Sequence, residues 1–408
     1  SLRLVGSEMC IRDRNNTKYC LHRKIHMVQF DLSEEQEMLA ELAKDFADQE
    51  LIPKAEEWDR NGVFPGDVID AARELGLLNC TIPVEYGGLG LSFLDEVIIN
   101  EELGRGDPGF ATITGVTMLA CHPIIYGGTE QQKMEFLSRV CNGEISAYCV
   151  TEPGAGSDVR AISTTATLDG DHYVLNGSKM WIGGAGHANW FYVLAKTSNS
   201  DSYDSLSGFV VEAASAGLEV GKKEEKMGQR SSDTRSVTLS DVRVPRENLV
   251  GGVEGTGWLQ AMVAFDRSRP MLAAHALGNA RGAMEEAWRY ANERRTFGKP
   301  IFEHQSISFM LADMSTKIEG ARLLAHRAAC MLDKGERATL ESAHAKRYAA
   351  DIGMEVTTDS VQIFGGYGYS EEFPAARRMR GAKIYQIFGG TSQIQRLIIG
   401  RELNKKYL

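Results

Sequence analysis

Two changes of pattern along the chain constrain its fold more than any other feature. Apolar residues recur at helical spacing in residues 27–148, strand-like segments fill residues 149–257, and long helical repeats occupy residues 258–408. This order predicts three structural parts rather than one continuous sheet. We therefore predict an α+β protein with an N-terminal helical domain, a central antiparallel β domain and a C-terminal four-helix bundle.

Local signals support each of the three parts. Ser33 and Gln36 have the spacing of a helical capping box, and Gly62 is placed to end a helix. Asp169-Gly170 and Asn176-Gly177 are dipeptides typical of hairpin turns, and they lie among segments rich in β-branched and aromatic residues. We expect a turn at each dipeptide.

Composition excludes several classes of function. The 408 residues carry a formal net charge of −10, with 43% hydrophobic and 25% charged residues, as in ordinary globular proteins. Net negative charge and dispersed Lys and Arg disfavour nucleic acid as a partner. No apolar run approaches the roughly 20 residues that span a bilayer. The seven scattered cysteines predict reduced thiols in a cytosol-like compartment and no metal site.

The first 26 residues have an unusual composition. They are Arg-rich and poor in acids, as mitochondrial transit peptides are. The run LVGSEMCIRDR at residues 4–14 favours another origin, because it resembles an in-frame translation of a transposon-type sequencing adapter. We therefore predict that residues 1–26 are not native, that the native chain starts at Met27, and that the fold is specified by the rest.

Common nucleotide-binding and zinc motifs are absent from the sequence. It has no G-x-G-x-x-G after a predicted strand, no G-x-x-x-x-G-K-[ST] and no H-E-x-x-H. Rossmann dehydrogenases, P-loop enzymes and zincins are thereby excluded. Composition and pattern alone indicate a globular protein in three parts.

Six short strings carry a more specific signal. They are YCVTEPGAGSD (148–158), KMWIGGAG (179–186), FDRSRP (265–270), ERRTFGKPIFEHQ (293–305), QIFGGYG (362–368) and IYQIFGGTSQIQR (384–396). In this order and spacing, over about residues 28–408, they resemble signatures of the acyl-CoA dehydrogenase family. The medium- and short-chain enzymes are the members they resemble most. One string alone would be weak evidence, whereas six in register are typical of the family.

The resemblance implies an FAD site. Small residues and hydroxyls in the loop 148–158 would let a flavin approach the backbone without obstruction. Arg294 would pair with the cofactor pyrophosphate through its planar fork. In related tetramers the segments 293–305 and 362–366 reach the flavin of a neighbouring subunit. The implied cofactor-binding residues are Tyr148, Val150, Thr151, Gly156, Ser157, Trp181, Ile182, Gly183, Arg294, Thr296, Phe297, His304, Gln305, Gln362, Ile363, Phe364, Gly365, Gly366, Thr391 and Gln393.

The resemblance also implies a substrate and partners. The substrate would be an acyl-CoA or enoyl-CoA, electrons would be exchanged with an electron-transfer flavoprotein, and the chain would form a homotetramer. Its location would be the bacterial cytoplasm, or the mitochondrial matrix in a eukaryote. The implied substrate-binding residues are Ser157, Phe265, Asp266, Ser268, Arg269 and Gly390.

Several of these residues also fit plain structural interpretations. A tryptophan such as Trp181 is often a core residue. Arg294 could end a helix in solvent, and His304 alone would more often be structural. Asp266 and Arg269 have the spacing of an ion pair within one helix. The sequence leaves these alternatives open.

The chain departs from the family at the catalytic base. The family reaction removes an α-proton with a glutamate just before the G-T-S/N segment, and this chain has Gly389 there. Some relatives place the glutamate on the helix that carries the FDRSRP string, where the matching residue is Ser268. A serine without a histidine partner is far too weak a base. Gly183 also replaces the Thr or Ser that usually donates to flavin N5.

These departures leave four functions open. The first is α,β-dehydrogenation of an acyl-CoA with the base relocated, on an unconventional substrate such as a cyclic one. The second is the enoyl-CoA reductase direction, and the third is a catalytically silent protein that binds acyl-CoA and FAD. The fourth is an oxygen-using oxidase on the same fold. Ala111 and Gly115 suggest room for a bulky or long acyl group, and His122 is the only titratable group in residues 111–123.

Overall fold

The computed structural model describes residues 30–200 and 202–408, and the backbone of three short strands before residue 30. The chain divides into two units, Ser1–Glu37 and Met38–Leu408. In the first unit, β1 (Leu4–Val5), β2 (Glu8–Arg12) and β3 (Lys18–Leu21) pair antiparallel in that order. The predicted native start at Met27 lies outside the described residues.

The N-terminal part is helical, as predicted. Ser33 and Gln36 form the capping box, with reciprocal hydrogen bonds of 3.1 and 3.2 Å between side chain and backbone N–H. Gly62 ends the second helix in the left-handed region at φ +64°. The helices are α1 (Glu34–Phe46), α2 (Ala55–Asn61), α3 (Gly66–Glu74), α4 (Phe93–Gly106), α5 (Pro108–Gly127), α6 (Glu130–Gln132) and α7 (Ser138–Cys141).

Helix α5 crosses the interior of this part. Asp107 caps its N-terminus by accepting a hydrogen bond from the N–H of Phe110, and Pro108 occupies the first turn. Contrary to the expectation that no apolar run is this long, α5 is the one helix within the described residues that is long and apolar enough to cross a membrane by length and composition. Since 72% of its apolar window is buried inside the protein, that surface is used for packing.

The central part is a seven-stranded sheet with the path β4-β7-β5-β6-β10-β9, and β8 pairs with β7. It is mixed rather than wholly antiparallel, because β4 enters directly from the helical part and pairs parallel with β7. Its first strand begins ahead of the predicted boundary at residue 149. The strands are β4 (Ser146–Cys149), β5 (Thr165–Asp169), β6 (His172–Gly183), β7 (Trp190–Lys196), β8 (Leu206–Glu212), β9 (Leu218–Val220) and β10 (Thr234–Pro245).

Only one of the two predicted hairpin turns is a turn. Asp169-Gly170 joins β5 to β6, with Gly170 at φ +66°. The prediction at Asn176-Gly177 is wrong, because both residues lie inside β6. A Cβ on Gly177 would approach the Thr164 hydroxyl to 2.4 Å, so this glycine permits close packing where the register against β10 shifts.

The C-terminal part contains four long helices, as predicted. They are α8 (Gly257–Glu293), α9 (Gln305–Asp333), α10 (Thr339–Phe364) and α12 (Ser392–Tyr407), with the short α11 (Pro374–Ala382) between the last two. A two-stranded ribbon of β11 (Arg295–Thr296) and β12 (Lys299–Pro300) joins α8 to α9. The core is rich in alanine, which allows the helices to approach closely.

A buried charge network ties α4 to α8 and α9. The carboxylate of Glu101 accepts from Arg281 at 2.9 Å and from Arg322 at 2.7 Å, and its side chain is 6% exposed. Burial raises the pKa of Glu101, but the two arginines together lower it overall. The ionised carboxylate therefore holds three helices together.

Removing this carboxylate should destabilise the fold. We expect Glu101→Leu to lower the free energy of unfolding by about 3 kcal/mol, since two partly buried arginines lose their shared partner. Urea unfolding followed by circular dichroism measures the difference. Glu319→Leu is the matched control, because Glu319 also contacts Arg322 but is 58% exposed, and its loss should cost less than about 1 kcal/mol. Equal losses in the two variants would contradict this role of the network.

Candidate active site

A rigid loop follows β4 and contains the TEPGAGSD string. Glu152 lies buried inside it, with its side chain 3% exposed, and accepts from the backbone and hydroxyl groups of Ser163 and Thr164 at 2.5–3.0 Å. The ammonium of Lys179, on β6, approaches the same carboxylate at 2.8 Å. Burial raises the pKa of Glu152, but Lys179 and these hydrogen bonds lower it to about 2. The loop is therefore fixed to the sheet by a buried ion pair.

The loop and β6 bring two of the six strings together. The N–H of Met180 donates to the carbonyl of Thr151 at 2.9 Å, which places Val150 and Thr151 beside Trp181 and Ile182. Val150 and Ile182 are buried, whereas Ser157 and Gly156 are exposed. A Cβ on Gly156 would meet nothing within 4 Å, so its backbone is open to a ligand.

Two aromatic side chains at this place fit a flat cofactor. Trp181 is 58% exposed and has φ +64°, a strained conformation for a residue other than glycine, and such strain is common at binding sites. Tyr148 stacks on Tyr192 with ring centroids 5.2 Å apart, and its buried hydroxyl has no hydrogen-bond partner in the described part of the chain. An exposed ring, an unpartnered hydroxyl and an open backbone fit a planar ligand with polar edges, as the FAD implied by the resemblance has.

The Gly389-Gly390 turn lies before α12 and has φ values of +61° and +84°. Lys346 on α10 donates to the carbonyl of Gly390 at 2.6 Å, and Gln395 donates to the carbonyls of Gly389 and Gly390 at 3.2 and 3.1 Å. No hydrogen bond among the described residues uses the N–H of Gly389. The turn is thus held through its carbonyls and leaves that donor for a ligand.

Aliphatic side chains occupy the space beside both unusual glycines. A Cβ on Gly389 would lie 2.4 Å from Leu272 Cδ1, and a Cβ on Gly183 would lie 2.9 Å from Val116 Cγ1. Both distances are shorter than ordinary contacts between carbon atoms. Each glycine is therefore packed against an apolar neighbour, Leu272 from α8 and Val116 from α5.

The FDRSRP string on α8 lies close to the loop and is held by contacts within the protein. Phe265 packs edge-on against Tyr148 at 5.7 Å, which joins this string to the first. Asp266 and Arg269 form the ion pair within one helix, and Asp266 also accepts from Thr339 at 2.6 Å. Ser268 is 1% exposed, and its hydroxyl donates to the carbonyl of Phe265 at 3.3 Å. The Ser268 hydroxyl is thus engaged by the helix.

A second cluster lies at the C-terminal end of α8, where residues of the strings 293–305 and 362–368 come together. Some of these residues line a cavity of about 460 Å³. The Arg294 guanidinium lies over the ring of Tyr367 at 5.9 Å, Phe297 is 96% exposed, and Thr296 shares a hydrogen bond of 3.0 Å with His304 Nε2. Lining the cavity are Tyr290, Arg294, Thr296, Ile301, Ile363, Phe364, Gly365, Gly366 and Tyr367.

The remaining predicted residues are more scattered. Thr391 caps α12 by accepting from the N–H of Ile394 at 3.0 Å, while Gln305, Gln362 and Gln393 are exposed. Among the described residues, no hydrogen bond, ion pair or ring contact joins the second cluster to the loop after β4. One chain therefore brings the predicted residues together in two places.

Two expectations about α5 are decided by packing. A Cβ on Gly115 would lie 2.9 Å from His275 Cε1 and 3.0 Å from Met271 Cε, so the expected room for a long acyl group is not present at Gly115. His122 is 1% exposed, neither ring nitrogen has a partner in the described residues, and burial lowers its pKa to about 3. His122 is thus neutral and has a packing role.

Sequence reasoning missed five residues that shape the site. Glu152 and Lys179 lie inside the quoted strings, so two opposite charges in otherwise small and apolar segments were an available signal. Lys346 was also detectable, as a lysine between small residues on the buried face of α10. Gln395 also lies inside a quoted string, five and six residues from the glycines that it contacts. Leu272 carried no local signal, because its role depends on a contact distant in sequence.

The chain matches known proteins in each of its three parts. Family models for the N-terminal, middle and C-terminal domains of acyl-CoA dehydrogenase match residues 33–144, 147–242 and 255–404. A cyclohexane-1-carbonyl-CoA dehydrogenase from Geobacter metallireducens is 41% identical over 381 residues, covering 92% of this chain and 99% of the relative. A short-chain specific acyl-CoA dehydrogenase from Megasphaera elsdenii is 42% identical over 380 residues, with the same coverage.

Solved structures share the fold over the same length. Butyryl-CoA dehydrogenase from Megasphaera elsdenii has a TM-score of 0.90 and 42% identity, covering 92% of this chain and all of the other. A chain from a structure described as the electron transferring flavoprotein of Acidaminococcus fermentans gives the same score and identity, with 92% and 99% covered. Matches to all three domains and to full-length relatives show that this chain belongs to the acyl-CoA dehydrogenase family.

Proposed function

We propose that this protein binds FAD and a short or compact acyl-CoA and dehydrogenates the α,β carbons without the glutamate that the family uses as its base. When bound, FAD supplies the acceptor for the hydride that leaves the β-carbon. The residues that would hold the flavin ring are those of the loop after β4 together with Trp181, since they combine an exposed ring with an open backbone.

The unused N–H of Gly389 is the observation that carries this proposal. Lys346 and Gln395 fix the turn from its carbonyl side, so the N–H is held in place before a ligand arrives. A fixed donor placed at a thioester carbonyl stabilises the negative charge that develops there, which acidifies the neighbouring C–H. Glycine provides this donor as well as glutamate would.

The same geometry supports the absence of the usual base. Leu272 lies where a side chain on residue 389 would begin, and the hydroxyl of Ser268 is engaged by its own helix. Loss of a positioned general base lowers rates by about 10²–10⁴. We therefore propose that turnover is slow relative to enzymes that carry the glutamate.

Packing at Gly115 supports a small substrate. His275 and Met271 fill the space beside this glycine, so an acyl group that reached α5 there would meet side chains rather than a cavity. Two relatives are named for short-chain and cyclohexane-1-carbonyl substrates. Short straight acyl groups and compact cyclic ones are the substrates we propose.

The second cluster supports assembly of several chains. Phe297 exposes almost its whole ring next to an open cavity that carries Arg294, an arrangement suited to a cofactor phosphate from another subunit. We propose a homotetramer that passes electrons to an electron-transfer flavoprotein, in the bacterial cytoplasm or, in a eukaryote, the mitochondrial matrix. A similar chain occurs in a solved structure whose description names an electron transferring flavoprotein.

Anaerobic mixing with an acyl-CoA panel tests the function. The FAD-loaded protein is mixed with butyryl-, octanoyl- and cyclohexane-1-carbonyl-CoA, and flavin bleaching is followed in a stopped-flow instrument. We expect slow bleaching with the first and third and less with the second, because the site is short. Complete absence of bleaching with every thioester, despite binding, would favour the silent acyl-CoA-binding protein instead.

A further inference from the structure

Lys346 is the titratable side chain in direct contact with the Gly389-Gly390 turn. Its amine donates to the carbonyls of Tyr385 at 2.7 Å and Gly390 at 2.6 Å, and the residue is 1% exposed. A Cβ on Gly389 would lie 3.8 Å from Lys346 Cε. The amine nitrogen is bonded to that carbon. It therefore lies within the distance from residue 389 that the carboxylate of a glutamate there could reach.

The hydrogen bonds of Lys346 match the neutral form of its amine. A neutral amine has two N–H donors and one lone pair, whereas an ammonium has three donors. The structure provides two acceptors, the carbonyls of Tyr385 and Gly390, so both donors of the neutral form are used. The amine makes no third hydrogen bond in the described part of the chain, and an unpaired buried donor is costly.

The charges around Lys346 also favour the neutral amine. Arg269 disfavours the ammonium form from α8, and Asp351 on the same helix as Lys346 opposes this effect. That carboxylate pairs with Arg347 and Arg396 and accepts from Ser392 on α12. Burial, with a contribution from Arg269, lowers the pKa of Lys346 to about 7. A large part of the protein thus carries a free amine at neutral pH.

We propose that the neutral amine of Lys346 accepts the α-proton of the bound acyl-CoA in place of the missing carboxylate. The α-C–H bond breaks and its proton goes to the amine, which becomes an ammonium. The freed electron pair forms the Cα–Cβ double bond as the β-hydrogen leaves as a hydride, for which bound FAD would supply the two-electron acceptor. The ammonium then loses its proton to solvent. This inference rests on the proposed function.

Exchange of the α-proton tests the inference apart from hydride transfer. The FAD-loaded protein is incubated with butyryl-CoA in D₂O, and deuterium at the α-carbon is measured by mass spectrometry. We expect exchange in the wild type and a loss of about 10²-fold or more in Lys346→Met. The wild-type rate should rise about tenfold per pH unit below pH 7 and level off above it, because only the free amine is a base.

Gln395→Met is the matched control, since it removes two hydrogen bonds from the same turn and leaves the amine in place. It should slow exchange but keep the pH profile. Addition of ethylamine to Lys346→Ala should restore part of the exchange, which a purely structural role would not do. Binding of acetoacetyl-CoA, followed by the flavin spectrum, shows that each variant still holds a thioester.

The outcomes separate this inference from the proposed function. A wild type that neither bleaches nor exchanges with any thioester overturns both. Equal exchange in the wild type and Lys346→Met, with bleaching retained, overturns only the role of Lys346. If both lysine variants lose thioester binding, the pH profile of exchange in the wild type decides. An exchange rate that does not change between pH 6 and pH 8 overturns the role of the Lys346 amine.

Discussion

Gly389→Glu combined with Leu272→Ala should raise the rate of flavin bleaching by butyryl-CoA by about 10²-fold, the lower end of the effect of a general base. The lower end applies because Lys346 would already accept protons in the wild type. Gly389→Glu alone should give much less. Leu272 Cδ1 lies 2.4 Å from the new Cβ, and the left-handed backbone at φ +61° adds about 1–2 kcal/mol for a non-glycine residue.

Single-turnover bleaching of the two single variants and the double variant makes this measurable as a double-mutant cycle. Leu272→Ala alone is the matched control, since it opens the same space without supplying a carboxylate. The double variant should also lose the rise in rate near pH 7, because a carboxylate is ionised well below that pH. Bleaching by the double variant at the wild-type rate would contradict the assignment of residue 389 as the base position.

Lys179→Met should have the second large effect, a loss of about 3–5 kcal/mol in stability together with weakened FAD binding. The pair with Glu152 is almost wholly buried, with side-chain exposures of 0% and 3%, and removing one partner leaves the other charge without compensation. Lys179 also donates to the carbonyls of Val150, at the start of the loop after β4, and of Leu194 on β7, so the loop and the sheet each lose a further bond. Thermal unfolding and release of FAD on dilution measure the two effects.

The pH dependence of the Glu152 contribution follows from its lowered pKa. A carboxyl group with a folded pKa of about 2 against an ordinary 4.5 stabilises the fold above pH 4.5, and that stability is lost between pH 4.5 and 2. The difference in unfolding free energy between wild type and Glu152→Gln should therefore be largest at neutral pH and vanish in acid. Lys179→Met/Glu152→Gln should recover part of the loss in Lys179→Met. A difference that stays constant from pH 7 to pH 3 would count against the ion pair.

Local signals predicted the elements that depend on local chemistry. The capping box at Ser33 and Gln36, the terminator Gly62 and the turn at Gly170 need only neighbouring residues, and all three were predicted correctly. Asn176-Gly177 was predicted wrongly, because the same dipeptide that makes a turn can also admit close packing inside a long strand.

Features that depend on distant contacts could not be predicted in this way. The parallel pairing of β4 with β7 joins segments about 40 residues apart. The alternation of apolar and polar side chains does not indicate whether two strands pair parallel or antiparallel. The resemblance to the family marked Gly389 as a departure, but the packing of Leu272 beside it depends on α8, more than 100 residues earlier. The free N–H of Gly389 is likewise visible only once the turn is folded.

The open cavity beside Arg294 has a thermodynamic consequence. If residues around it complete the cofactor site of a neighbouring subunit, then flavin occupancy and assembly are linked equilibria. Dilution would release the cofactor as it separates the subunits, and added FAD would drive them together. The apparent cofactor affinity of this protein would then be a function of its own concentration.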